Sequence, residues 1–153
     1  MKNATLLICS ILIALGFNSC KKDKTEAVEE IGYGTSFGMC VGYCLNNVAI
    51  INEGKITFSK SSNGINPSTK TCSKAISESE IIALKASVNT AKFNKLSEVI
   101  GCPDCADGGA EWVSLKLDGK VKKVTFEYGK VPDELKELVA RLREIKEGFK
   151  DCN

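Results

Sequence analysis

Residues 111–128 read EWVSLKLDGKVKKVTFEY. Two stretches that alternate apolar and polar residues flank Asp118-Gly119. An Asp-Gly pair there is a strong signal for a two-residue type I′ turn, because both central positions need φ > 0. In a hairpin closed that way Val113 faces Val124 and shares its side with Leu115, Phe126 and Tyr128. That side is expected to face the core.

Further elements lie on both sides of this hairpin. Downstream, Pro132 suits a first helical residue and Asp133 and Glu134 suit the first turn, while Leu135, Leu138, Val139, Leu142, Ile145 and Phe149 form one stripe. Upstream, Ser77-Glu78-Ser79-Glu80 fits a capping box, and Ile81, Leu84 and Val88 recur at helical spacing. A helix over about 78–89 is predicted, with Phe93, Leu96 and Ile100 packing after it. Residues 44–60, CLNNVAIINEGKITFSK, give two β-rich stretches, Val48–Ile51 and Lys55–Ser59, around Asn52-Glu53-Gly54, which is a second hairpin. Tyr33–Met39 reads as a further strand and Ser61–Lys70 as a loop. The expected fold is α+β: an antiparallel sheet of two hairpins, about four to five strands, with two helices packed on one face and disulfides stabilising it.

The start of the chain has a different character. Lys2 precedes an apolar run from Leu6 to Phe17, and Asn18-Ser19-Cys20 follows. Basic, apolar, then small residues is the order of a secretory signal. The run is about 12 residues long, whereas roughly 20 are needed to cross a ~30 Å hydrocarbon core. Residues 1–19 are therefore read as a signal peptide and Cys20 as the lipidated residue that becomes the mature N-terminus. This segment resembles bacterial lipoprotein signals, in the relaxed form common in the Bacteroidota, where Ser-Cys followed by Lys and Asp replaces Leu-Ala-Gly-Cys. The resemblance implies a diacylglyceryl and an amide-linked acyl chain (palmitate) on Cys20, whose methylenes bury about 0.8 kcal/mol each in lipid.

Residues 20–31, with KKDKTEAVEEI after the cysteine, are charged and read as a flexible tether, leaving 32–153 as a single α+β domain. The formal charge of the whole chain is +2, and loss of Lys2 with the signal leaves +1, so no nucleic-acid partner is implied. The chain contains no histidine. That excludes Ser-His-Asp and Cys-His catalytic pairs and histidine metal ligands. Any enzymatic chemistry would have to rest on carboxylates, cysteines, lysines or tyrosines, and the expected reading is a non-enzymatic protein with no catalytic residue or cofactor assigned.

Removing Cys9 and Cys20 from the eight cysteines leaves Cys40, Cys44, Cys72, Cys102, Cys105 and Cys152 as disulfide candidates. They make three structural bridges, or two and a reactive pair. An alternative uses Cys40, Cys44, Cys102 and Cys105 as a four-thiolate zinc site, or Cys102-Pro103-Asp104-Cys105 as a thiol-redox pair, although such a pair normally opens a helix and this one precedes a Gly-rich turn. Asp104 and Asp107 fall short of the six to eight oxygens that Ca²⁺ takes and read as a solvated turn. Trp112 and Tyr43 read first as packing aromatics, with a ligand surface as the second reading.

Reach bears on connectivity. Extended residues four apart lie about 13 Å apart, whereas a disulfide needs Cα atoms within about 7 Å. Either Gly42 makes a tight turn that joins Cys40 to Cys44, or each reaches the Cys102–Cys105 loop. The second is favoured because it closes a loop of about 60 residues and stabilises more on the chain-entropy model. Cys72 then pairs with Cys152 by elimination.

Phe37-Gly38-Met39-Cys40-Val41-Gly42-Tyr43-Cys44, followed by Glu53-Gly54-Lys55-Ile56-Thr57-Phe58, resembles the start of domain of unknown function 6438. There a Phe-Gly-x-Cys-Pro-x-Tyr segment leads into a strand, a Gly turn, a strand, a helix, an Asp-containing loop, a hairpin and a last helix. Val41 stands where that family usually has Pro, and the extra cysteines also depart from it. The resemblance covers about 33–149; that family is without an established activity, so the resemblance implies fold and envelope context and supplies no catalytic residues. The expected protein is a membrane-anchored exported lipoprotein acting as a binding or structural module of the cell envelope. Its expected partners are membrane lipid through acylated Cys20 and a protein or small-molecule ligand, at the periplasmic face or cell surface of the inner or outer membrane.

Overall fold

The computed structural model describes residues 27–51 and 54–152. The signal segment 1–19, Cys20, most of the tether and the turn residues Asn52 and Glu53 lie outside them. Seven strands and three helices follow in the order β1 (Val28–Ser36), β2 (Tyr43–Ile51), β3 (Lys55–Ser62), β4 (Thr69–Ala75), α1 (Glu78–Ala86), α2 (Thr90–Lys95), β5 (Val99–Ile100), β6 (Ala110–Leu117), β7 (Lys120–Glu127) and α3 (Lys136–Glu147). The strands make one sheet in the order β4-β3-β2-β1-β6-β7-β5. Every pairing is antiparallel except that of β5 with β7, which is parallel.

This overturns the expected sheet of two hairpins with two helices. The sheet is mixed and larger for three physical reasons. β1 joins the hairpins by pairing with β2 on one side and β6 on the other. β4 occupies the end of the segment read as loop and residues 71–75, which carried no assignment, because an edge strand exposed along nearly its whole length needs no apolar alternation. β5 is two residues held by the Thr125 amide donating to the Glu98 carbonyl at 2.8 Å and by its ladder to β7.

Residues 28–31, expected to belong to the tether, lie in β1, which begins at Val28. Val28 and Ile31 are buried despite the two glutamates between them. A register irregularity between Val28 and Glu30 places both apolar side chains inward.

The Asp118-Gly119 turn sets the β6–β7 register, with Val113 opposite Val124. Cys72, Phe58, Val48, Tyr33, Val113 and Val124 then lie in one row across six strands. That row is the centre of the core, and Ile81, Leu84, Phe93, Leu138, Val139 and Leu142 from the helices belong to the same buried cluster. Phe149 stacks on Phe58 at 5.3 Å between ring centroids. Tyr128 departs from the expected inward side: β7 stops at Glu127, Gly129 has φ 79°, and the Tyr128 ring is about half exposed, edge-on to Phe37 at 4.9 Å.

The capping box forms as the sequence requires, with Ser77 Oγ accepting from the Glu80 amide and the Glu80 carboxylate accepting from the Ser77 amide. The helix expected over about 78–89 is α1, which ends at Ala86, and a second helix, α2, follows over Thr90–Lys95, where Phe93 was expected only to pack after it. Ser87 Oγ donates to the Leu84 carbonyl at 2.7 Å and closes α1, and Asn89 caps α2 by accepting from the Lys92 amide at 2.9 Å. Pro132 precedes a 3-10 turn over Asp133–Leu135, and α3 starts only at Lys136.

Candidate functional site

The antiparallel registers sort the connections between two ends of the sheet. Val28, Gly54 and the Asp118-Gly119 turn lie at one end, where Glu29 accepts from the Gly119 amide at 2.8 Å and pairs with Lys116 at 2.9 Å. At the other end lie the β1–β2 loop (37–42), the β3–β4 loop (63–68) and the loop entering β6 (101–109). In the sheet order these three loops stand side by side, with 37–42 in the middle.

Hydrogen bonds tie the three together. Asn63 donates its amide to the carbonyls of Phe37 and Gly38 at 3.0 and 2.9 Å. On the other flank the Gly38 amide donates to Asp104 Oδ1 at 3.3 Å. A Cβ at Gly109, where φ is 79°, would overlap the Phe37 ring, so glycine is what lets Phe37 pack against this loop. The Cys102 amide donates to Glu127 Oε1 at 3.2 Å, which anchors the loop to the end of β7.

The cysteines are placed within these loops. Cys40 pairs with Cys44 at a Cα separation of 5.6 Å, and Cys102 with Cys105 at 5.5 Å. The favoured bridging of one loop to the other is therefore wrong. Gly42, with φ 91°, folds the segment back on itself, and Asp104, with φ 60°, takes a left-handed conformation inside the second ring. Reach had left the Gly42 turn open, and the preference for the larger loop on chain entropy chose against it. Cys72 and Cys152 do pair, at 5.9 Å between Cα atoms and 80 residues apart in sequence.

The sulfurs proposed for zinc or redox chemistry are thus joined two and two within their own loops. Among the described residues no group of three or more His, Cys, Asp or Glu side chains gathers as a metal site. Asp104 is engaged with the Gly38 amide, as above. Trp112 lies on the face away from the helices, over Gly34, with the Lys123 ammonium 4.3 Å from its ring centre.

Tyr43 sits just behind the middle loop. Lys60 and Lys70 place their ammonium groups 4.7 and 5.9 Å from its ring centre. A hydrogen bond from Ser68, and then the Lys70 charge, hold the Tyr43 hydroxyl below the usual tyrosine range.

A polar group that sequence reading missed lies inside. Glu111 is fully buried and accepts from Arg143 twice, from the Tyr33 hydroxyl at 2.6 Å and from the Gly129 amide at 3.3 Å. Burial, and then this bond to Glu111, push Tyr33 well above the usual tyrosine range, while the same carboxylate raises Arg143. Its bonds are directed at its own neighbours, so it braces α3 on the sheet. The available signal was a glutamate on the inward side of the decisive hairpin, two residues before Val113.

A groove of about 340 Å³ runs between α1 and α3 over Ile56, Ile76, Leu84 and Ile145. Its charged residues are Glu80, used by the capping box, Arg141, paired with Glu137 at 3.3 Å, and Glu144. Among the described residues no helix is long and apolar enough to cross a membrane. Neither a family model nor a curated protein matches this chain.

Proposed function

We propose that the protein is an exported lipoprotein, anchored by acylated Cys20 in the cell envelope, that works as a non-enzymatic binding module and presents its three-loop end to a partner. One observation carries the reading. β1 starts at Val28, only eight residues after Cys20, and runs nine residues to Ser36, where the Cys40–Cys44 loop begins. The anchor therefore attaches at one end of the sheet and the pinned loops stand at the other, about 30 Å away at ~3.3 Å per residue. Support also comes from the pairing of all six domain cysteines, which suits an oxidising compartment. Kinship with domain of unknown function 6438 belongs to the same proposal and rests on the Phe37–Cys44 segment.

Two measurements test it. The wild-type chain should carry labelled palmitate and resist salt and carbonate extraction from membranes, and Cys20→Ala should remove both properties. Persistent acylation of Cys20→Ala would sink the anchoring. The purified mature chain should show no free thiols without reduction. Stoichiometric zinc, or one thiol pair free in the purified protein, would replace the binding-module reading with a thiol or metal site.

A further inference from the structure

Three apolar side chains at the loop end project almost wholly into solvent. Met39 is 79% exposed, Val41 104% and Ile65 100%. They stand on the two loops that Asn63 ties together, and the Cys40–Cys44 ring holds Val41 near its apex. Set back from them are Tyr43, Lys60 and Lys70, and among the described residues neither lysine has an ion-pair partner.

We infer that this end docks on an anionic lipid surface, with Met39, Val41 and Ile65 entering the headgroup–acyl boundary and Tyr43, Lys60 and Lys70 resting among the headgroup phosphates. Exposed apolar side chains of this size gain by leaving water, and a lipid boundary accepts projecting chains without a fitted socket for each. The order by depth also fits. Tyrosine prefers the interface, where its ring is apolar and its hydroxyl wet, and lysine lays its stem along apolar surface while its ammonium reaches phosphate. Asp104 and Asp107 belong to the loop on the other flank of 37–42, so the contact is made on the β3–β4 side. Because the tip stands a strand length from Val28, a domain upright on its anchor meets lipid other than that holding Cys20.

This deepens the proposed function and rests on its choice of the loop end, but the test uses an unacylated chain, so anchoring and docking fail separately. The mature chain from residue 20, carrying Cys20→Ser, is sedimented with vesicles of phosphatidylcholine alone or mixed with phosphatidylglycerol. The chain should bind the mixed vesicles and prefer them to the neutral ones. Val41→Asp and Ile65→Asp, at exposed positions that leave the fold intact by circular dichroism, should each weaken binding about tenfold. Lys60→Gln with Lys70→Gln should remove the preference for phosphatidylglycerol. Absence of binding to mixed vesicles, or undiminished binding by Val41→Asp, would overturn the inference. So would a concentration-dependent dimer dissolved by Val41→Asp, which would make the tip a contact between copies of the chain.

Discussion

Arg143 and Glu111 meet through two parallel hydrogen bonds, Nε to Oε1 at 2.9 Å and Nη2 to Oε2 at 2.6 Å. The carboxylate is fully buried while the arginine side chain keeps 41% of its surface in solvent. Taking away the arginine leaves a buried charge with a hydroxyl and an amide for compensation, which is the costly way to break such a pair. Arg143→Met is expected to lose roughly 2 to 4 kcal/mol, below the value for a dry pair because of that exposure. Adding Glu111→Gln to Arg143→Met should recover part of the loss in urea unfolding. A double variant weaker than the single one would show that the carboxylate is not the strained partner.

Tyr33 supplies a test in alkali. Its folded value is raised, so the native state holds the phenolic proton more tightly than the unfolded chain does. The stability this contributes is present in full below about pH 10, the ordinary tyrosine value, and is lost as pH rises above it toward the folded value. Absorbance titration should show Tyr43 ionising before Tyr33, and Tyr33 doing so only with alkaline unfolding. Tyr33→Phe should delete the late step; its survival in that variant would assign it to another residue.

The long bridge and the local rings should differ in worth. Closing Cys72 to Cys152 spans 80 residues and stabilises by roughly 4 kcal/mol on the chain-entropy model, against roughly 2 kcal/mol for the five-residue ring of Cys40 and Cys44. Replacing both members of each pair by alanine and comparing urea midpoints checks the order. Equal losses would mean that native contacts outweigh chain entropy.

Leu138 and Val124 test the two sides of the core. Both are essentially without solvent exposure. Leu138→Ala is expected to cost roughly 2 to 4 kcal/mol and Val124→Ala roughly 1 to 3 kcal/mol. Chemical denaturation showing under about 0.5 kcal/mol for either would contradict the burial described.

What could be read from sequence was where chemistry and periodicity coincide. Asp118-Gly119 set the register of β6 and β7, Ser77 and Glu80 marked the start of α1, and Leu138, Val139 and Leu142 marked the buried stripe of α3. β4 was invisible because Thr69–Ala75 alternates threonine, serine and lysine around Cys72, and its place is fixed by backbone pairing to β3 and by the bridge. β1 was half hidden, since Glu29 and Glu30 gave Val28–Ile31 the composition of a tether. In the loops, the pairing of Cys40 with Cys44 depended on one positive φ at Gly42, and no alternation pattern reports that. That the loops carrying Val41 and Ile65 stand side by side needed the strand order and Asn63, both long-range facts.

In the proposed export, which delivers the chain N-terminus first, the 80-residue span of the Cys72–Cys152 bridge matters. Both small rings can shut as soon as their own few residues emerge, whereas Cys72 must wait, reduced, until β5, β6, β7 and α3 have all followed it. During that interval its sulfur is open to capture by Cys102 or Cys105, each of which emerges first. Prompt closure of the Cys102–Cys105 ring takes those rivals out of competition, so the small ring acts as a timer that keeps the wrong partners occupied until the right one arrives.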